Sequence, residues 1–376
     1  MRRGSGGSRA VGLGGWFVST GALPAWRAVG AVSAGGVLAC VAGLVVHGGS
    51  RPAAVVVAAV AGGLVTAAGE GAGVPDRLRV RFALGAAGAV VAFGAVAVAV
   101  SGRPWLAALA MAAVAVFTSV GAGASPIGGA FGVLATLGYV LTVVIVSAFP
   151  LPGSLGSGAL TATGAVLGAG VGLVVTAVAG ALRRRRSTAA SEQVSVFVAP
   201  WGAMWRSVRT VDEHLHDGLR RAIPLSLLVG VYEATGSHDV LWALVAALVV
   251  LMPTGKSPFE LAAARVVSTV VGVVVLILLS ALLPVWVLVG GAVPMVLLGT
   301  AYKASFPMLA AAATTIGAIV MVGAPAGSIS GYAALRLVDT LAGAGIALAF
   351  AYLLWPADRP DADTPTSGGA ALGAAP

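Results

Sequence analysis

Charged residues are scarce in this chain. Only 9% of its 376 residues are Asp, Glu, Lys or Arg, whereas soluble domains carry about 25%. Hydrophobic residues make up 59% of the sequence and the mean hydropathy is +1.00, so the composition excludes a soluble fold. A single cysteine, Cys40, excludes an intrachain disulfide and a cysteine-based metal cluster.

Aromatic residues are also few, at 6%, while glycine is abundant, with 54 residues. Apolar helices built from small residues can approach one another closely. The formal net charge is +9, but the basic residues lie between apolar stretches and not in one basic patch. This placement indicates membrane topology, so we expect a lipid bilayer as surroundings and no nucleic-acid partner.

A membrane-spanning helix needs about 20 mostly apolar residues. Candidate spans in the first half are 28–46, 53–69, 82–100, 105–122, 129–149 and 158–182. Those in the second half are 220–236, 239–253, 262–283, 285–301, 307–323 and 332–355. The sequence therefore predicts an all-α membrane protein of about 12 transmembrane helices.

The division into domains follows from the same pattern. We expect an N-terminal six-helix membrane half at 1–182, a cytoplasmic amphipathic connector at 183–222, a C-terminal six-helix half at 223–356 and a disordered tail at 357–376. Six spans per half is an even number, so the two halves enter the membrane from the same side as parallel repeats. In transporters built from such repeats the substrate site lies between the halves.

The basic residues predict an orientation. With the N-terminus placed inside, 19 of the Lys and Arg residues fall on the inner side and 3 on the outer side. Cytoplasmic loops carry an excess of Lys and Arg. We therefore expect a multi-pass protein of the plasma (inner) membrane with both termini in the cytoplasm.

One motif, R-x-x-x-T-x-x-G, occurs in two of the predicted spans. The ninth span contains it as Arg265, Thr269 and Gly272, and the twelfth as Arg336, Thr340 and Gly343.

On these motifs the segment 241–356 resembles the fusaric acid resistance family, which is related to the bacterial aromatic acid exporters. The resemblance implies proton-driven export of aromatic or other weak carboxylic acids. It also implies that both motifs lie in functional helices.

Ionisable groups at membrane depth are costly, so those present are functional candidates. Arg336 and Asp339 are three residues apart on one helix face and are expected to form an ion pair. A substrate carboxylate competing for Arg336 would then free Asp339 to take up a proton. The alternative is that Arg336 is an anchor that snorkels to the outer interface.

Glu233, His238 and Asp239 cluster near the predicted outer end of the seventh span, where they form either an exit vestibule or an ordinary solvated loop. Arg265 either attracts an anionic substrate to the cytoplasmic end of the transport path or is only one of the basic residues that set the membrane topology.

The favoured function is a membrane transporter for proton-coupled efflux of a small organic acid, with no cofactor, no metal site and no enzymatic activity. A homo-oligomer in the membrane is compatible with this function. The alternatives are a non-transporting scaffold or subunit of a membrane complex and, less favoured, an enzyme acting on lipids.

Overall fold

The computed structural model describes residues 76–124, 126–148, 166–178, 213–252, 257–302, 305–324 and 327–353, together with Arg209 and a few isolated positions between 26 and 66. These residues form helices, and no strand occurs within the described ranges. The predicted all-helical fold is therefore confirmed for this part of the chain.

The described helices correspond to the third to twelfth predicted spans. They are α1 (Asp76–Val100), α2 (Pro104–Ala124), α3 (Pro126–Ala148), α4 (Val166–Val178), α5 (Glu213–Thr235), α6 (His238–Val250), α7 (Pro258–Leu282), α8 (Val285–Tyr302), α9 (Pro307–Gly323) and α10 (Ile329–Leu353). The first two predicted spans, most of the connector and the tail lie outside the described residues.

Several of these helices are suited to a bilayer. Five stretches are long and apolar enough to cross it: Val80–Val100, Pro104–Ala122, Pro258–Leu282, Val285–Tyr302 and Ile329–Leu353. Large apolar side chains such as Leu282, Trp286 and Leu353 are exposed on α7, α8 and α10. Apolar helices that expose such side chains match the hydrocarbon of a membrane, so this is a multi-pass membrane protein.

Local sequence sets where α7 begins. The hydroxyl of Ser257 accepts a hydrogen bond from the backbone N–H of Glu260, whose carboxylate accepts one from the backbone N–H of Ser257. This capping box satisfies two helix-end donors, and Pro258 occupies the first helical position, where its missing N–H is not needed. Glu260 thus has a structural role at the start of α7.

Helix α5 runs across the predicted boundary between the connector and the C-terminal membrane half. It begins at Glu213, inside the expected connector, and continues without a break to Thr235. Its first turns pack on α2, where Arg221 donates a hydrogen bond of 3.0 Å to Ser119 and forms an ion pair with Asp217. The last residues of the predicted connector therefore lie in the same packed helix as the first residues of the membrane half.

The largest buried core joins helices from both predicted halves. Met111 of α2, Tyr139 of α3, Val229 of α5 and Leu244 of α6 are all essentially inaccessible to solvent, and the small residues of α10 complete this cluster. The hydroxyl of Tyr139 donates to the carbonyl of Ala107 at 2.9 Å, which satisfies the polar end of a buried ring. A second cluster links α7, α8, α9 and the start of α10.

Candidate functional site

A cavity of about 100 Å³ lies between α6, α9 and α10. Its wall is mostly apolar, but it brings together charged residues from the starts of two helices. The lining residues are His238, Asp239, Trp242, Ala318, Ile319, Val322, Tyr332, Leu335, Arg336 and Asp339. A concave, largely apolar pocket with a few convergent polar groups is the usual form of a small-molecule site.

Arg336 is the eighth residue of α10 and is only 6% exposed. Within the described part of the chain, its Nε and Nη1 are enclosed and have no hydrogen-bond partner. A snorkelling anchor would extend to the surface, so this burial argues against the anchor interpretation. A buried guanidinium with free N–H groups is instead suited to receive an anion.

Trp242 of α6 supports the guanidinium. The central carbon of the Arg336 guanidinium lies 3.7 Å from the centroid of the Trp242 ring. This is a cation–π contact, which attracts the cation through the negative face of the ring and leaves the edge N–H groups of the guanidinium available.

The close ion pair predicted between Arg336 and Asp339 is not formed. Among the described residues, the side-chain ion pairs within 4.0 Å are those of Asp217 with Arg220 and Arg221. The tryptophan face holds the guanidinium in place of the carboxylate.

Asp339 nevertheless lies in the same cavity, one turn further along α10, and is 5% exposed. Asp239, at the start of α6, also lines the cavity, and the charges of the two carboxylates repel each other. The cavity thus contains two carboxyl groups of like charge, one on α6 and one on α10. The arrangement therefore offers an anion-binding cation and a carboxylic acid side by side.

The rest of the motif explains how α6 and α10 come close enough to form the cavity. Thr340 is completely buried, and its hydroxyl donates to the carbonyl of Arg336 at 2.8 Å. A Cβ atom added to Gly343 would lie 2.9 Å from the Cβ of Ala246 and closer still to the carbonyl oxygen of Ala243. Only glycine permits this approach of the two helices.

The second copy of the motif lies on α7. Arg265 has an enclosed Nε without a hydrogen-bond partner, and the buried hydroxyl of Thr269 also lacks one in the described structure. Gly272 packs against α9, where an added Cβ would lie 3.1 Å from the carbonyl oxygen of Ala312. Arg265 does not line the cavity, but its charge repels that of Arg336.

The three residues of the predicted vestibule, Glu233, His238 and Asp239, do not all lie at the same place in the structure. His238 and Asp239 line the cavity. Glu233 does not: its carboxylate accepts a 2.7 Å hydrogen bond from the backbone N–H of Gly102, in the turn between α1 and α2. Gly102 has a φ of 76°, which favours glycine. Glu233 thus stabilises this turn through a hydrogen bond to a residue 131 positions away in the sequence.

Trp242 and Tyr332 line the cavity but were not among the predicted site residues. Each has a local signal that points to it. Trp242 lies four residues after His238, and Tyr332 lies four residues before Arg336, so each shares a helix face with a residue already singled out.

The cavity also differs in place from the expectation. Its three helices, α6, α9 and α10, all belong to the C-terminal half, whereas parallel repeats predicted a site between the halves.

Comparison with known proteins also points to the C-terminal half, which contains the cavity. Residues 226–350 match the family described as fusaric acid resistance protein-like. The predicted resemblance is confirmed for this segment, which contains both copies of the motif and every cavity residue. No curated protein and no solved structure matches the chain. The family match and the apolar helices together indicate a transporter-like membrane protein.

Proposed function

We propose that this protein exports aromatic or other weak organic acids across the plasma membrane, and that the export is coupled to protons. The observation that carries the proposal is the buried, unpaired guanidinium of Arg336 in a cavity shared with Asp339. Each protonation and binding step uses residues of one small site. The match to the fusaric acid resistance protein-like family supports the same class of function.

Arg336 is the residue proposed to bind the substrate carboxylate. Its unpaired Nε and Nη1 lie on different edges of the guanidinium, and each has an N–H group that can donate to a carboxylate oxygen. Trp242 keeps the guanidinium in place, and the apolar wall accommodates the ring or chain of the acid. Thr340 has its hydroxyl engaged by the backbone and positions Arg336 from the turn below.

Asp339 is the residue proposed to carry the proton. While the cavity is empty, the positive charge of Arg336 balances the negative charge of Asp339. A bound carboxylate takes over Arg336 and adds a negative charge beside Asp239 and Asp339, so substrate binding and the protonation of Asp339 are linked. Asp239 and His238, at the exposed end of the cavity, provide a route for that proton to solvent.

The architecture proposed for this transporter is the predicted one, with twelve transmembrane helices in two parallel halves and both termini in the cytoplasm. The inner excess of basic residues supports this orientation. The C-terminal half contains the site, and α2 and α3 of the N-terminal half pack against it through the common core.

A scaffold remains the second candidate because Gly272 and Gly343 both mediate close helix packing. Packing explains the glycines of the two motifs. It does not explain why the Nε and Nη1 of Arg336 are buried without a hydrogen-bond partner, since buried unpaired donors destabilise a fold.

The test is transport of radiolabelled 4-hydroxybenzoate by the purified protein in proteoliposomes, with and without a pH gradient. We expect gradient-dependent flux for the wild type and none for Arg336→Gln. The matched control is Arg103→Gln, which makes the same change on an exposed turn and should transport normally. Absence of gradient-dependent flux across a broad panel of organic acids would overturn the exporter proposal, and normal flux by Arg336→Gln would overturn the assigned site.

A further inference from the structure

The two copies of the motif differ at one polar position. Three residues after the arginine, α10 has Asp339 whereas α7 has Ser268. Both positions are buried. The α7 copy therefore has an arginine and a threonine at the same spacing as α10, but a hydroxyl where α10 has a carboxylic acid.

This difference changes the hydrogen bonds of the neighbouring threonine. On α7 the hydroxyl of Ser268 donates to the carbonyl of Arg265 at 2.9 Å. The corresponding carbonyl on α10, that of Arg336, accepts instead from Thr340. Because Ser268 occupies the carbonyl that a threonine at this position would use, the hydroxyl of Thr269 has no partner among the described residues.

Two unpaired groups thus lie one turn apart on α7. Thr269 is completely buried, and the Nε of Arg265 is enclosed by protein. Residues four apart on a helix share a face. Both groups donate hydrogen bonds, the guanidinium donates only, and a buried donor is costly unless an acceptor meets it. The missing partner is therefore a hydrogen-bond acceptor, and the positive charge of the guanidinium favours an anionic one.

We propose that Arg265 and Thr269 form a second anion-binding position, which holds the carboxylate of the transported acid at a point on its path outside the Arg336 cavity. The inference rests on the proposed transport function and extends it from one binding position to two. The α7 position has no acidic residue in its motif, so it binds the carboxylate without the proton exchange assigned to Asp339.

The charges of the two arginines support two positions on one path. Arg265 and Arg336 repel each other across the interface of α7 and α10. An anion at either guanidinium reduces that repulsion, and an anion leaving one is attracted by the other. Passage along a pathway requires several binding positions, each of which binds the substrate weakly enough to release it.

The experiment measures equilibrium binding of radiolabelled 4-hydroxybenzoate to the full-length protein in phosphatidylcholine nanodiscs. The wild type should bind two molecules per chain. Arg265→Gln and Thr269→Val should each bind one, and the site they retain, at Arg336, reports that the variant is folded. Thr269→Ser keeps the hydroxyl and should restore the second molecule.

The outcomes separate this inference from the proposed function. Two molecules bound by Arg265→Gln or Thr269→Val with wild-type affinity would overturn the second position and leave the exporter proposal intact. One molecule bound by the wild type, and none by Arg336→Gln, would do the same. No binding by the wild type would contradict the proposed function itself.

A lipid phosphate offers the same acceptor chemistry, and a second arm distinguishes it. In nanodiscs containing anionic phosphatidylglycerol, the wild type should still bind two molecules. A loss of one molecule that Arg265→Gln does not show would identify a lipid headgroup at Arg265 and overturn the assignment to substrate.

Discussion

Substitution of single glycines by alanine tests how α6 and α10 meet to form the cavity. Three glycines differ in the space available for one methyl group. At Gly343 an added Cβ would lie 2.9 Å from the Ala246 Cβ and nearer to the backbone of Ala243. At Gly272 the nearest atom, the carbonyl oxygen of Ala312, would be 3.1 Å away, and at Gly345 nothing lies within 4 Å.

The expected order of stability follows from these distances. Alanine in place of glycine in a helix gains up to about 1 kcal/mol from backbone propensity, whereas overpacking costs about 1–3 kcal/mol. Gly345→Ala should therefore be neutral or stabilising. Gly343→Ala should be clearly destabilising because backbone atoms cannot move aside, and Gly272→Ala should fall between the two.

Thermal unfolding of the detergent-purified variants, followed by tryptophan fluorescence, measures this order. At about 2–4 °C per kcal/mol, the Tm of Gly343→Ala should be several degrees below that of Gly345→Ala. The two variants each gain one methyl group, at positions two residues apart on the same helix. Equal Tm values for them would refute the packing of α10 on α6.

Three further results follow from individual contacts. Replacing Trp242 with Phe should weaken 4-hydroxybenzoate transport less than replacing it with Leu, because only an aromatic ring makes a cation–π contact with Arg336. Such a contact is worth about 0.5–2 kcal/mol. Equal transport by both variants would contradict the contact. Ser257→Ala removes the helix cap of α7 and should lower unfolding stability by about 0.5–2 kcal/mol, whereas Ser257→Gly should cost only a few tenths. Glu233→Gln retains an acceptor for the N–H of Gly102, so transport and its pH dependence should not change; a lost pH dependence would return Glu233 to the proton pathway.

Hydropathy alone predicts much of the fold. The predicted span 285–301 and the helix Val285–Tyr302 nearly coincide, as do 307–323 and Pro307–Gly323. Composition suffices here because a span needs only length and apolar character. The charged first turns of α5, around Asp217 and Arg221, are stabilised by packing on α2 and by mutual pairing, which hydropathy does not report.

The site is less predictable than the spans. The sequence singles out Arg336 and Asp339 because charged residues are rare in apolar helices. It predicts their pairing from spacing on one helix, but the guanidinium lies on Trp242, which comes from another helix. Likewise, Glu233 bonds to a turn 131 residues away. Local spacing cannot reveal either partner, since both depend on which helices become neighbours.

The glycine positions connect fold and site. The R-x-x-x-T-x-x-G pattern is visible in the sequence, and the close approach at Gly343 explains why the pattern ends in glycine. Which neighbour each glycine meets, Ala243 on α6 or Ala312 on α9, is a property of the assembled helices. The free hydroxyl of Thr269 is visible only once the bond from Ser268 to Arg265 is known.

The most direct test of the account compares two kinds of transport in Asp339→Asn proteoliposomes. Exchange of labelled for unlabelled 4-hydroxybenzoate at equal pH requires substrate binding but no proton transfer, and accumulation driven by a pH gradient requires both. The account predicts that Asp339→Asn retains exchange and loses gradient-driven accumulation. Gradient-driven accumulation at the wild-type level would contradict Asp339 as the proton carrier and, with it, the coupled site in the α6, α9 and α10 cavity.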